Sequence, residues 1–63
     1  MGYRVSAYRK ERGWTQEELA HKSGLHRAQV GQIERGERNL TLKTMKTLAD
    51  TLGVRVADLV RDI

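Results

Sequence analysis

The sequence contains no cysteine, no proline and no phenylalanine, and its one tryptophan is Trp14. The lack of cysteine excludes disulfide bonds and thiolate metal sites, so neither can stabilise the fold. The two histidines, His21 and His26, therefore lack the neighbours that would complete a zinc site. We expect neither a metal ion nor a cofactor.

Long apolar segments are also missing. No apolar run approaches the roughly 18 residues that would cross a bilayer, and the first residues lack the apolar segment of a signal peptide. We therefore expect a cytoplasmic protein. Catalytic groupings are absent as well, since Ser6 and Ser23 lack a His–Asp pair, and Glu17 and Glu18 lack a pocket partner. The sequence predicts that the protein is not an enzyme.

Positive charge is what the chain has in excess. Lysine and arginine number 12 against 8 acidic residues, for a net charge of +4. Eight of the 12 basic residues precede Asn39, so we expect the contact surface in this part of the chain. This charge favours a polyanionic partner, with nucleic acid first and an anionic membrane second. Net charge alone does not decide between them, because basic residues often form only a solvated surface.

Glycines divide the 63 residues into five short helical segments of a single domain. Gly13, Gly24, Gly36 and Gly53 each follow a run with helical spacing, where a left-handed residue would end it. The predicted helices cover about 2–12, 16–23 and 26–35, a fourth from about Thr41 and a fifth after 53. No alternating apolar pattern is long enough for a strand, so the predicted fold is all-α. The predicted core residues are Val5, Tyr8, Leu19, Ala20, Leu25, Val30, Ile33, Leu42, Met45, Leu48, Ala49 and Leu52.

The second and third segments have the pattern of a helix-turn-helix. Thr15 and Glu18 have the spacing of a capping box, which predicts the start of the second helix at Gln16. Ala20 is small where the two helices would cross, and Gly24 supplies the backbone freedom of the turn. Together these features predict two helices that meet at a fixed angle.

The chain resembles the lambda-repressor-like, Xre/Cro-type helix-turn-helix family. The resemblance lies in TQEELA, the SGL turn, the IERG ending and LADTLGV, within RKERGWTQEELAHKSGLHRAQVGQIERGERNLTLKTMKTLADTLGV. It covers about Val5 to Leu59, and it implies a compact five-helix DNA-binding domain. The short length and the ERNLT segment are similar to controller proteins of restriction–modification systems. Phage-type and antitoxin-type repressors share this layout.

The resemblance implies that the third helix is the recognition helix, which enters the major groove and contacts bases. Arg27 is the main candidate, because a guanidinium can bond both O6 and N7 of guanine. The candidates for base contacts are His26, Arg27, Ala28, Gln29 and Gln32. The candidates for phosphate contacts are Gln16, Arg35, Arg38, Asn39 and Lys43.

Three further expectations concern the recognition helix. His26 stands where the family usually has Ser or Thr, so the helix cap should be weak. Gly31 costs roughly 1 kcal/mol in helix propensity relative to alanine, which suggests close approach to DNA or to a neighbour. The resemblance implies that Arg9 and Glu34 form a partly buried ion pair between the first and third helices.

The predicted partners are double-stranded DNA and a second copy of the chain, with no membrane and no small-molecule effector. A single small module buries only roughly 600–1,000 Å² on DNA, and helix-turn-helix proteins usually pair so that their recognition helices are about 34 Å apart. The predicted dimer interface consists of Leu52, Val56, Val60 and Ile63.

The predicted function is a homodimeric transcription regulator on a near-palindromic operator, with a restriction–modification controller as one form. An antitoxin-type or phage-type repressor is the alternative within the family. There are two further alternatives. One is a protein-interaction adaptor on the same fold, and the other is a regulator that binds a toxin through its last two helices.

Overall fold

The computed structural model of the protein describes residues 2–37 and 40–60, without the side chain of Val60. The helices of this part are α1 Gly2–Glu11, α2 Gln16–Ser23, α3 Arg27–Glu34, α4 Leu42–Leu52 and α5 Val56–Val60. The described ranges contain no strand, which confirms the all-α prediction. Across the same ranges, each helix is too short or too polar to cross a membrane.

The ends of α2 follow from residues beside them in the chain. The Oγ1 of Thr15 accepts a hydrogen bond from the N–H of Glu18 at 3.0 Å, and Glu18 Oε1 accepts one from the N–H of Thr15 at 2.9 Å. The backbone hydrogen bond from Thr15 lowers the pKa of Glu18. Gly24 ends the helix with a φ of 77°, in the left-handed region that favours glycine. The predicted capping box and turn are both confirmed.

Every helix contributes to one core. The buried apolar residues are Val5, Leu19, Ala20, Val30, Ile33, Leu48, Ala49, Leu52 and Leu59. Trp14 covers the edge of this core between α1 and α2, and the Lys22 ammonium lies 4.9 Å from the centre of its ring. The buried residues of α2 and α3 belong to the same core cluster as those of the other helices. The angle between α2 and α3 therefore depends on the packing of the whole core.

Two leucines of α4 differ from their predicted positions. Leu42 was predicted to face inward but is 65% exposed. It is the first residue of α4, and the buried part of that helix begins later, at Leu48. Leu52 was predicted both as a core residue and as a contact with a partner subunit. It is only 1% exposed, so the core prediction is confirmed and the interface prediction is wrong. It has no surface left to offer a second copy.

Candidate nucleic-acid interface

An apolar corner holds α3 against α2. Leu19 and Ala20 of α2 and Val30 and Ile33 of α3 are all buried in it. The turn between the helices closes through a hydrogen bond of 3.1 Å from the N–H of Leu25 to the carbonyl of Ala20. One side of α3 is thus fixed in the core, and the opposite side is directed away from it.

The outward face of α3, which comprises residues 27, 28 and 32 together with the C-cap residue Arg35, follows from helical geometry. Ala28, Gln32 and Arg35 have the spacing of four and three residues that puts side chains on one face, opposite Val30 and Ile33. The exposed base-contact candidates are His26, Arg27 and Ala28, and those partly exposed are Gln29 and Gln32. An α-helix with its side chains is about 10–12 Å in diameter, and the major groove of B-DNA is about 12 Å wide. A helix of this size can therefore enter the groove.

The start of α3 has no side-chain cap. His26 is the N-cap residue, with φ −80° and ψ 147°, and its imidazole makes no capping hydrogen bond. The prediction of a weak cap is confirmed. An exposed imidazole at the start of a helix can donate a hydrogen bond to, or accept one from, a base or a phosphate.

The phosphate candidates differ in how far they are engaged within the chain. Lys43 is exposed on the first turn of α4. Arg35 is exposed, but its Nε lies 3.1 Å from Oε2 of Glu37. Gln16 donates a hydrogen bond from Nε2 to Oε1 of Glu34 at 2.9 Å. The predicted phosphate candidates outside the described residues are Arg38 and Asn39.

The ion pair between Arg9 and Glu34, which the family resemblance implies, is present and bidentate. The Nε of Arg9 lies 2.7 Å from Oε2 of Glu34, and its Nη2 lies 3.1 Å from Oε1. A third hydrogen bond runs from Nη1 of Arg9 to the carbonyl of Trp14 at 2.7 Å. The side chains of Arg9 and Glu34 are 11% and 6% exposed. This pair joins α1 to the end of α3, and Gln16 connects it to α2.

The carboxylate of Glu34 is held in its ionised form. Burial by itself would raise the pKa of Glu34, but hydrogen bonds from Arg9 and Gln16, with the positive charges of Arg9 and Lys10, outweigh it. The pKa is therefore lowered, and the carboxylate remains charged at neutral pH. Since Glu34 neutralises Arg9, this pair contributes little to the charge that DNA would meet.

A family model described as helix-turn-helix matches residues 5–59 of the chain. The chain belongs to this helix-turn-helix family, the lambda-repressor-like or Xre-type regulators. The family consists of DNA-binding transcription regulators. The match spans α1 to α5 and so includes both the core and the outward face of α3.

Named relatives and solved structures agree with this membership. The control protein C.SmaI of Serratia marcescens is 47% identical over 55 residues, which are 87% of this chain and 66% of that protein. The controller protein C.AhdI of Aeromonas hydrophila is 41% identical, with a TM-score of 0.88 over 92% of this chain and 88% of its own. SinR, the master regulator for biofilm formation, solved in complex with DNA, is 33% identical, with a TM-score of 0.89 over 95% of this chain and 100% of that one. The chain spans between 42% and 66% of the length of three curated relatives that it matches.

Two exposed features of this lambda-repressor-like domain were not predicted from its sequence. Glu37 places an acidic group beside Arg35, because the left-handed Gly36, with a φ of 72°, turns the chain between them. The IERG ending predicts that turn but not the ion pair. Leu42 exposes an apolar side chain next to Lys43. The one sequence signal for this exposure is the position of Leu42 at the first residue of α4, before the buried part of that helix.

Proposed function

We propose that this protein is a sequence-specific DNA-binding transcription regulator that acts as a homodimer on a near-palindromic operator. The observation that carries the proposal is the outward face of α3. Arg27 is exposed at the first residue of α3 and Ala28 is exposed beside it, while Val30 and Ile33 anchor the inner side of the same helix in the core. Membership of a family of DNA-binding regulators, and similarity to SinR in complex with DNA, support it.

Each candidate residue has a proposed role. Arg27 donates to the O6 and N7 atoms of a guanine, and its neighbours on α3 contact adjacent bases. The further proposed base contacts are His26, Ala28, Gln29 and Gln32. The proposed phosphate contacts, which position the domain without specifying sequence, are Gln16, Arg35, Arg38, Asn39 and Lys43. Gln16 keeps its second amide hydrogen for a phosphate while the first bonds Glu34.

The dimer follows from the size of the domain. Its extents are 25 × 21 × 18 Å, whereas successive major grooves on one side of B-DNA are about 34 Å apart. One copy therefore cannot fill two grooves, and a second copy related by two-fold symmetry would. We propose an interface at Val56, Val60 and Ile63, of which Val56 is partly buried against the core of its own chain.

Similarity to C.SmaI and C.AhdI favours control of restriction–modification genes. We propose that the regulator also controls its own gene. A protein with this role acts where the chromosome lies, so we place it in the cytoplasm. We expect no catalytic activity, since the family comprises DNA-binding regulators.

The test is selection of bound sequences from random duplex DNA, followed by titration of Arg27→Ala on the selected duplex and on a random duplex. We expect the affinity for the selected duplex to fall about 5- to 150-fold, since a bidentate contact contributes about 1–3 kcal/mol of discrimination. The affinity for random DNA should change little. Arg55→Ala is the matched control, because it removes an exposed arginine at the start of α5, away from α3. Equal losses on both duplexes would exclude a base contact, and a wild-type chain that binds no duplex would favour the adaptor alternative.

A further inference from the structure

Gly31 lies beneath two arginine side chains on the recognition helix. It follows Arg27 by four residues and precedes Arg35 by four, so the three residues lie along one edge of α3. A Cβ atom at position 31 would lie 3.3 Å from Nη1 of Arg27 and 3.1 Å from Nη1 of Arg35. Both distances are shorter than the optimal separation of non-bonded atoms, about 3.5–4.0 Å. The two guanidinium groups therefore occupy the space that a side chain would take.

Nη1 of Arg27 and Nη1 of Arg35 both lie close to this one point, although the charges of the two groups repel. Arg35 also has an exposed ion pair, because its Nε lies 3.1 Å from Oε2 of Glu37. Arg27 has no acidic partner among the described residues. Two cations held near one point gain when anionic or electronegative groups lie against them, because this attraction offsets their mutual repulsion.

We propose that Gly31 is a positioning residue: the absence of its side chain lets Arg27 and Arg35 act as one unit on a single guanine nucleotide. This inference rests on the proposed DNA-binding function. Arg27 contacts the edge of the guanine base, and Arg35 contacts a phosphate beside it. The helix-propensity cost of glycine is then the cost of bringing the two arginines together.

A larger residue at position 31 separates the two arginines while leaving the fold intact. In Gly31→Ala, both guanidinium groups must move by a few tenths of an ångström or adopt other rotamers, because they are the flexible ends of their side chains. The helix itself gains, since alanine favours a helix more than glycine does. Stability and DNA binding should thus change in opposite directions.

The experiment measures affinity for the selected duplex in wild type and in Gly31→Ala, Arg27→Ala and Arg35→Ala, with each arginine variant also combined with Gly31→Ala. We expect Gly31→Ala alone to weaken binding about 5- to 10-fold, less than the loss of a whole bidentate contact, and to keep or raise the melting temperature. Added to either arginine variant, Gly31→Ala should change affinity less than about twofold, because the arrangement it disturbs is already lost.

Equal losses from Gly31→Ala in all three backgrounds would overturn the inference, because the glycine would then serve the approach of the backbone to DNA. An unchanged affinity in the wild-type background would overturn it too. Failure of the proposed function is a separate outcome, because the wild-type chain would then select no duplex before any variant is compared.

Discussion

The amide Nε2 of Gln16 donates a hydrogen bond of 2.9 Å to Oε1 of Glu34, the same oxygen that lies 3.1 Å from Nη2 of Arg9. A carboxylate at the end of the recognition helix thereby orients the first side chain of α2. The partly buried ion pair and the proposed phosphate contact at Gln16 are parts of one network. A change at Glu34 should consequently affect both folding and the placement of Gln16.

Glu34→Gln should destabilise the fold strongly. It leaves Arg9 without its counter-charge in a site where its side chain is 11% exposed. Breaking a buried pair in this way costs about 3–5 kcal/mol, which for a domain of this size lowers the melting temperature by more than about 10 °C. Thermal unfolding followed by circular dichroism measures this. Glu37→Gln is the matched control, since its pair with Arg35 is exposed and should contribute less than about 1 kcal/mol. Similar melting temperatures for the two variants would contradict a structural role for Glu34.

The contribution of Glu34 should disappear in acid. Its pKa in the folded protein is lowered, so its stabilising effect is complete above the unfolded value of about 4.3. As the pH falls below that value and through the lower folded-state pKa, protonation removes the effect. The difference in melting temperature between wild type and Glu34→Gln should therefore narrow as the pH is lowered from about 7 to about 3. A difference that stays constant over this range would show that charge does not carry the effect.

Glu37→Gln should strengthen DNA binding. The carboxylate of Glu37 lies 3.1 Å from Nε of Arg35, where it neutralises a proposed phosphate contact and would itself repel the DNA backbone. Its removal should raise the affinity for selected and random duplexes alike, by about two- to fivefold at low salt. Fluorescence anisotropy at two salt concentrations measures this, and the gain should shrink as salt screens the charges. Weaker binding on both duplexes would mean that Glu37 is needed to orient Arg35.

Lys43→Ala should weaken binding without changing sequence preference. Lys43 is exposed on the first turn of α4, and a phosphate contact adds affinity that does not depend on sequence. Log affinity falls as log salt concentration rises, and loss of Lys43 should make this negative slope shallower by about 0.9, the value for one neutralised phosphate. Titrations of selected and random duplexes over a salt series measure this slope. A slope equal to that of wild type would place Lys43 away from the DNA backbone.

Val60→Asp should separate the proposed dimer into folded monomers with weakened operator binding. A carboxylate buried between two apolar surfaces is unfavourable unless it is paired. Light scattering reports the oligomeric state and circular dichroism reports the fold. Leu42→Asp is the control for the oligomeric state, because Leu42 is an apolar residue that is 65% exposed on α4, outside the proposed interface. If Val60→Asp remains a dimer, the interface lies on another surface.

The sequence predicted the helices well because their boundaries depend on near neighbours. The capping box of Thr15 and Glu18, and the left-handed glycines such as Gly24, act over a few residues of chain. Apolar spacing likewise placed Val30 and Ile33 in the core and left Arg27 outside it. The candidate base contacts were therefore predictable as a group once the recognition helix was located.

What the sequence alone determined is thus the set of elements and the side of each that faces the core. The tertiary structure decided how side chains from separate helices meet, as in the bond between Gln16 and Glu34, and it decided the exposure of Leu42. It also decided that the guanidinium groups of Arg27 and Arg35 converge over Gly31. The physical reason is range: capping and helical periodicity act along a few residues, whereas these contacts depend on how whole helices pack and which rotamers that packing leaves open.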